Sequence, residues 1–448
     1  DQTSICSVFS GRTYLAARKT WDSHVFGTFS EKRNRTVMKK RHVIIVGGGA
    51  SGMVAAISAA REGAKVTIIE HQNKLGKKIL STGNGKCNLT NEYMAAECFR
   101  GEDLSIVDTV LKKFGYKETV SFFESLGVLT KSRQGYIYPV SEQASAVLDV
   151  LVMELEKLSV DVILNEHVTF VSQKKEQFTV VAGNKKYCAD AVILATGGKA
   201  AAVLGSDGSG YALAKQFGHT ISPVVPALVQ LRGKGSYFKQ VAGVRTNAKV
   251  SVLVDRDCQA ADTGELQLTN YGISGIPVFQ ISRFAAKALK EKKLVEAEID
   301  FFPEADDNEF CILMEERKRQ HADRTAEDFF VGIFNRKLSE LFLKQAYIPL
   351  HIKASEIRSD KWEKLFSLCK HFQVEIEETN PFEQAQVCAG GIRTDMINPA
   401  TMESVLVKDL YITGELMDID GICGGYNLQW AWATGFLAGK HAAKGMER

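Results

Sequence analysis

A chain of 448 residues, 45% hydrophobic and 24% charged, is long enough for two or three domains around a large core. Its formal net charge of +3 announces no dominant nucleic-acid-binding surface, and no apolar run approaches the length of a transmembrane helix. The nine cysteines show no CxxC and no Cys/His ligand spacing. That argues for a reducing, cytoplasmic setting, no membrane association, no metal site and no redox-active disulfide.

Residues 1–37 are rich in Ser, Thr and Arg, lack hydrophobic periodicity and contain no apolar h-region, so they are not a secretory signal. They are expected to be a disordered extension or translated upstream sequence, with an organelle-targeting peptide as the alternative. Met38 looks like a natural start.

Val43, Ile44, Ile45 and Val46 then read as a short buried strand. Gly47, Gly49 and Gly52, with Ala50 and Ser51 between them, fit G-x-G-x-x-G. The first glycine allows the tight turn, the second lets a pyrophosphate approach the backbone, and the third lets helix pack on strand. Met53 to Glu62 continue as a helix whose N-terminal amides face the phosphates. Gly63 ends it, Lys65 to Ile69 form a second strand, and Glu70 stands where an acid accepts hydrogen bonds from an adenosine ribose. An acid there disfavours a 2′-phosphate, which leaves FAD or NAD.

Later segments choose between them. Lys74 to Asn91 has the glycines and small polar residues of a backbone that runs along a cofactor. Its candidate contacts are Lys78, Thr82, Gly83, Asn84, Cys87 and Asn88. The strand Ala191 to Ala195 ends in Thr196-Gly197-Gly198, which would return the chain beside the cofactor; Ala195 and these three residues are candidates, as is Val168 upstream. Gly208 and Gly210 precede a further helix that Gly218 ends. From Asp409 to Ala443 a strand leads to Gly414-Glu415, and Gly424-Gly425 open the last helix, whose positive end would face an anion such as the N1–C2=O region of a reduced flavin. Gly391, Gly414, Glu415, Gly425, Tyr426, Asn427 and Leu428 complete the cofactor set. No second G-x-G-x-x-G stands between a strand and a helix, so NADH or NADPH would come directly to the flavin face. The cofactor is therefore expected to be FAD.

The segments "GKKILSTGNGKCNLTN", "YPVSEQASAVLDVL", "LATGGKA", "SDGSGYALAKQFGH", "GELQLTNYGISGIPVFQIS", "VCAGGI" and "DGICGGYNLQWAWATGFLAG" occur in order. Together they resemble a family of bacterial flavoproteins that includes BaiN and the ribosomal-RNA dihydrouridine synthase RdsA, whose members are often labelled NAD(P)/FAD-dependent or aminoacetone-oxidase-like. The resemblance runs from Met38 to the end of the chain. It departs from the family pattern at Asn270, where His or Asp is usual, and at Cys388, where Thr is usual. Both departures bear on the substrate and not on the fold.

The resemblance implies an α/β fold. A Rossmann-like FAD-binding domain, with a parallel sheet and a βαβ start, would come from residues 38–205 and 378–448. An inserted β-barrel-like plus helical domain, 206–377, would carry the substrate. The insert reads the same way by itself: "ALVQLRG", "NAKVSVLVD", "GELQLTN" and "LVEAEIDFFP" alternate like strands, and Glu309 to Phe372 looks mainly helical.

The family's activities imply hydride transfer from NAD(P)H to FAD, then to an electron-poor carbon of a polarised C=C, with a protein acid protonating the neighbouring carbon. The acceptor would be a small-molecule steroid-type enone or a uridine of ribosomal RNA, which becomes dihydrouridine. Cys423, Cys388 and Cys87 are the candidate catalytic residues. Cys423 is expected to have a lowered pKa because it just precedes a helix N-terminus, though buried, inert thiols are the competing reading. Tyr426 and Tyr271 are alternative acids. Asn270 and Ser274, in "TNYGISG", are candidate substrate contacts. Lys39-Lys40-Arg41, Lys77-Lys78, Arg317-Lys318-Arg319 and Arg336-Lys337 would line an RNA path, or serve only as solvated faces. Two other readings stand beside the reductase: an oxidase of a small amine that releases hydrogen peroxide, and a non-catalytic RNA-binding or redox-sensing flavoprotein.

Overall fold

A computed structural model describes residues 40–445; the expectations for 1–37, and for Met38 and Lys39, lie outside the described residues. The run of β-branched residues forms β1 (His42–Val46), and Val43, Ile44 and Ile45 are fully buried. α1 (Ala50–Arg61) crosses over to β2 (Lys65–Ile69), which pairs with β1 in parallel. The complete sheet is parallel and five-stranded, in the order Leu410–Ile412, Ala191–Leu194, β1, β2, Asp161–Ile163. A parallel sheet covered on both faces needs apolar strands, which residues 43–46, Ala191–Leu194 and Leu410–Ile412 supply.

The helix Tyr426–Lys444 lies against α1. The approach is close because two glycines on one face of the later helix meet bare backbone. A Cβ on Gly435 would fall 2.3 Å from the Ser51 carbonyl oxygen, and one on Gly439 2.1 Å from that of Ala55.

A second core belongs to a closed six-stranded antiparallel barrel built from Leu231–Gly233, Arg245–Val254, Asp257–Leu268, Gly272–Gly275, Val295–Asp300 and Phe372–Thr379. Alternation along the second of these strands buries Ala248, Val250 and Val252. The helix Ile276–Lys290 sends Val278, Ile281, Ala285 and Ala288 into the same core. Helices at Asp307–Gln320, Arg336–Gln345 and Ser359–Lys370 add Phe310, Phe342 and Trp362. The α/β sheet with a barrel-plus-helix lobe is the architecture anticipated above. Within the stretch expected to belong to the insert, the helix Ser209–Lys215 instead puts Leu213 and Ala214 into the first core.

Two ties hold the lobes together. Val225–Ala227 pairs with Val387–Ala389, where Ala286 joins a small apolar cluster. Arg283 donates two hydrogen bonds, at 2.9 and 3.0 Å, to the buried Asp420 carboxylate. The bidentate pair fixes the helix Ile276–Lys290 against the segment that leads into the last helix.

Candidate active site

A cavity of about 860 Å³ opens at the carboxyl end of the parallel strands, between the two lobes. Its size is in the range of sites for cofactors and drug-sized ligands. Its floor begins where β1 ends. Gly47, at φ +103°, sits so close to the neighbouring strand that a Cβ would lie 2.5 Å from the Ala195 carbonyl oxygen. Gly52 faces back onto this turn, where a Cβ would lie 2.0 Å from the Gly47 oxygen. Gly49, by contrast, caps α1 with open space beside it, no side-chain cap and no acid in the first turn. The free amides and the positive end of α1 therefore meet the cavity uncompensated, as a pyrophosphate requires. Gly47, Gly49, Ala50 and Ser51 all line the cavity.

Glu70 closes one end. Its Oε2 accepts from the Gly48 amide at 2.7 Å and its Oε1 from the Gln72 amide at 2.7 Å. These bonds aim the carboxylate and leave lone pairs for hydroxyl donors. Val168 lines the same wall. Farther along, Lys78 and Glu415 form an ion pair at 2.7 Å, and the other oxygen of Glu415 accepts from the Cys388 amide at 2.8 Å. Gly83 and Asn84 both take left-handed backbone conformations, φ +55° and +54°, and line the cavity with Thr82. Asn88 is buried, and its side-chain oxygen has no hydrogen-bond partner among the described residues. Such an acceptor is costly unless a donor reaches it, and Asn88 lies in the cavity wall.

The start of the last helix completes the far end with Gly425, Asn427 and Leu428. Gly425, at φ +93°, is irreplaceable on two grounds: its own backbone angle, and a Cβ that would stand 2.9 Å from both the Asn88 side-chain oxygen and the Thr90 carbonyl. A helix N-terminus at the floor and another at the far end, an acid poised for hydroxyls and an unpaired buried acceptor together fit FAD.

Ala195, Thr196 and Gly197 also line the cavity. The structure places other expected contacts behind the wall. Gly52 packs on the glycine turn, Gly198 on the Glu415 carboxylate, Gly391 on the Met417 backbone, and Gly414 on Ser51. Tyr426 is buried edge-on against Phe99 at 5.9 Å, and Cys87 is fully buried. These residues shape the lining without forming it.

Of the three candidate cysteines only Cys423 reaches the cavity. Burial pushes the Cys423 thiol up to about 12, and Cys87 and Cys388 likewise to about 12. The expected lowering at Cys423 is thus reversed: desolvation of a thiolate outweighs the nearby helix terminus. Asn270 and Ser274 do not line the cavity. Ser274 is buried in a barrel strand opposite Gln267, while Asn270 lies exposed in the preceding turn. Beside it, Tyr271 accepts from Asn380 at 2.9 Å under the Arg232 guanidinium.

The barrel lobe supplies Ile276 and Phe279 instead, and Gln386 and Val387 come from the return crossing. Ile276 is 57% exposed although it opens a helix with Pro277 beside it. An apolar residue at the first position after "GISG" was the available signal. Tyr136, Arg133 and Gln134 line the cavity without belonging to any motif read above, and Tyr138, which opens the segment "YPVSEQASAVLDVL", lines it too.

Comparison with known proteins agrees with this geometry. Residues 41–441 match the family described as the HI0933-like protein Rossmann domain. The chain is 52% identical over 406 residues to the 3-dehydro-bile acid delta(4,6)-reductase of Clostridium scindens, covering 89% of this chain and 98% of that one. It is 27% identical over 400 residues to the ribosomal RNA dihydrouridine synthase of Haemophilus influenzae, covering 88% and 96% respectively. The Escherichia coli enzyme of the same name is also 27% identical, over 399 residues, with 89% and 96% covered. Among the described residues no helix is long and apolar enough to cross a membrane. The chain belongs to the HI0933-like family and is a flavin-dependent reductase, with FAD as the cofactor that its family and its cavity imply.

Proposed function

We propose that this protein takes a hydride from NADH or NADPH and reduces an activated C=C of a steroid-type enone. The observation that carries the choice of substrate is the 52% identity, over nearly the full length of both chains, to a reductase of 3-dehydro-bile acids. Identity to the RNA-modifying relatives is about half that. The apolar side of the cavity, with Leu228, Ile276, Phe279, Val387 and Ile422, also suits a fused hydrocarbon skeleton better than a charged polynucleotide.

Bound FAD would supply the hydride carrier, from the nicotinamide to the electron-poor carbon of the acceptor. The residues of the chain do the rest. Gly49, Ala50 and Ser51 would hold the FAD pyrophosphate at the start of α1, and Glu70 would accept from a ribose hydroxyl. Lys78 and Glu415 would contact the cofactor along the cavity wall, while Gly425, Asn427 and Leu428 would offer the positive end of the last helix to negative charge. Ile276 and Phe279 exclude water from the acceptor side, and the barrel lobe acts as the substrate domain. Cys423 is the one candidate cysteine that stands in the cavity wall, so we assign it as the proton donor to the carbon next to the one that receives hydride.

The test is anaerobic. The flavin band should bleach with NADH or NADPH and return on addition of a 3-oxo-4,6-diene steroid, with one double bond reduced per flavin. Recovery with ribosomal RNA but not with the steroid would transfer the activity to uridine. Recovery with oxygen alone would mark an oxidase.

A further inference from the structure

We propose that His71, His167 and Asp207 form a site for a divalent transition-metal ion of the zinc class. One ligand atom from each residue lies within 4.8 Å of the other two. The three come from separate segments, too far apart in the chain for any spacing motif. His71 follows β2, His167 precedes the strand Val168–Lys174, and Asp207 precedes the helix Ser209–Lys215. Backbone bonds fix the first two segments side by side: Glu70 donates to the Ile163 carbonyl at 2.8 Å, and Glu166 donates to that of Glu70 at 3.1 Å.

Nδ1 of His71 lies 3.3 Å from Oε1 of Glu70, and the Gln72 side-chain nitrogen lies 3.1 Å from His71 Nε2. Nε2 thus accepts from Gln72, a bond that a metal on Nε2 would replace, and Glu70 stands close enough to pair with the opposite ring nitrogen once the metal is bound. Asp207 accepts from the Ser209 amide at 2.9 Å and is also bonded by the Ser209 side chain, which holds its carboxylate at the helix start. The His167 ring stands edge-on to that of His71, with centroids 5.6 Å apart. A tetrahedral site with bonds near 2 Å needs its donors about 3.3 Å apart. His167 is exposed, so a change of rotamer supplies the closure.

Two imidazoles and one carboxylate select zinc-like ions over magnesium and calcium, which prefer all-oxygen shells. Asp207 and Glu70 together balance the charge of a divalent ion. Three protein ligands leave the fourth position open, and two of them, His71 and His167, line the cavity.

The test uses the untagged protein as isolated, dialysed against chelator and then titrated calorimetrically with zinc alone and with magnesium alone. One equivalent of zinc should bind saturably, and magnesium should give no binding heat. Both His167→Ala and Asp207→Asn should weaken zinc at least tenfold, with circular dichroism confirming that each is folded. Cobalt(II) should give the visible absorption of a low-coordinate site in the wild type only. Absence of a one-equivalent zinc site overturns the proposal, as does wild-type zinc affinity in either variant.

Discussion

Replacing Gly435 with alanine puts a methyl group 2.3 Å from the Ser51 carbonyl oxygen, and replacing Gly439 puts one 2.1 Å from that of Ala55. Carbon and oxygen rest above 3 Å apart, so in each case the last helix and α1 must part locally by about 1 Å. Overpacking of this kind costs about 1–3 kcal/mol. A helical Gly→Ala change returns up to about 1 kcal/mol of propensity, which leaves a net loss of up to about 2 kcal/mol for either variant. Their effects on the cofactor should differ. Ser51 belongs to the first turn of α1 and lines the cavity, whereas Ala55 lies one turn deeper. Urea denaturation should show similar losses for Gly435→Ala and Gly439→Ala. FAD titration of the apoprotein, followed by fluorescence quenching, should show roughly tenfold weakening for Gly435→Ala alone. Wild-type stability in both variants would refute the close-approach argument. Equal FAD affinities in two equally destabilised variants would refute the claim that the first turn of α1 carries the phosphates.

Gly49→Asp has room for its side chain and an ordinary φ of −81°, so the fold should hold to within about 0.5 kcal/mol. The new carboxylate would cap α1 and meet the pyrophosphate, so FAD affinity measured by titration should fall at least tenfold. Cys423→Ala should leave reduction of the flavin by NAD(P)H near wild type in stopped flow and slow its reoxidation by the enone by about 10²-fold or more. Iodoacetamide at pH 8 should label the exposed Cys188, Cys258 and Cys311 well before Cys87, Cys388 and Cys423 when followed by peptide mass spectrometry. The same three raised thiols set an alkaline limit. In the unfolded chain they ionise near pH 9 and in the fold only near 12, so the unfolded state releases protons first. Stability should be level below about pH 8 and fall as pH rises through 9 to 12, read from urea midpoints.

The parts legible in the sequence are those in which local backbone demands select residues directly. Gly47 must take a positive φ, Gly49 must leave helix amides bare, and Glu70 must follow the second strand, so strand, turn, helix and acid could be read in order. Packing against distant segments was less legible. Gly52, Gly198, Gly391 and Gly414 sit in recognisable motifs, yet their missing side chains make room for neighbouring protein atoms. Motif membership therefore overstated their contact with the cavity. Cys423 precedes a helix start, as read, but the apolar surroundings that raise its thiol come partly from Phe279 and the Val225–Ala227 crossing, far away in the chain. Ile276 and Phe279 reach the cavity because Arg283 and Asp420 fix their helix there, a pairing across lobes that neither local pattern announces.

The sheet and the helix pairing impose an order on assembly. β1 and α1 appear early in synthesis, but the edge strand Leu410–Ile412 and the helix that covers Ser51 and Ala55 emerge some 350 residues later. Until then the glycine turn has amides to offer and no far wall to close the cavity. At ordinary ribosomal speeds, that delay lasts on the order of twenty seconds or more. Flavin capture therefore waits for the last helix to emerge. A cell short of FAD at that moment would accumulate chains that have made both the glycine turn and the last helix yet lack the ligand that bridges them.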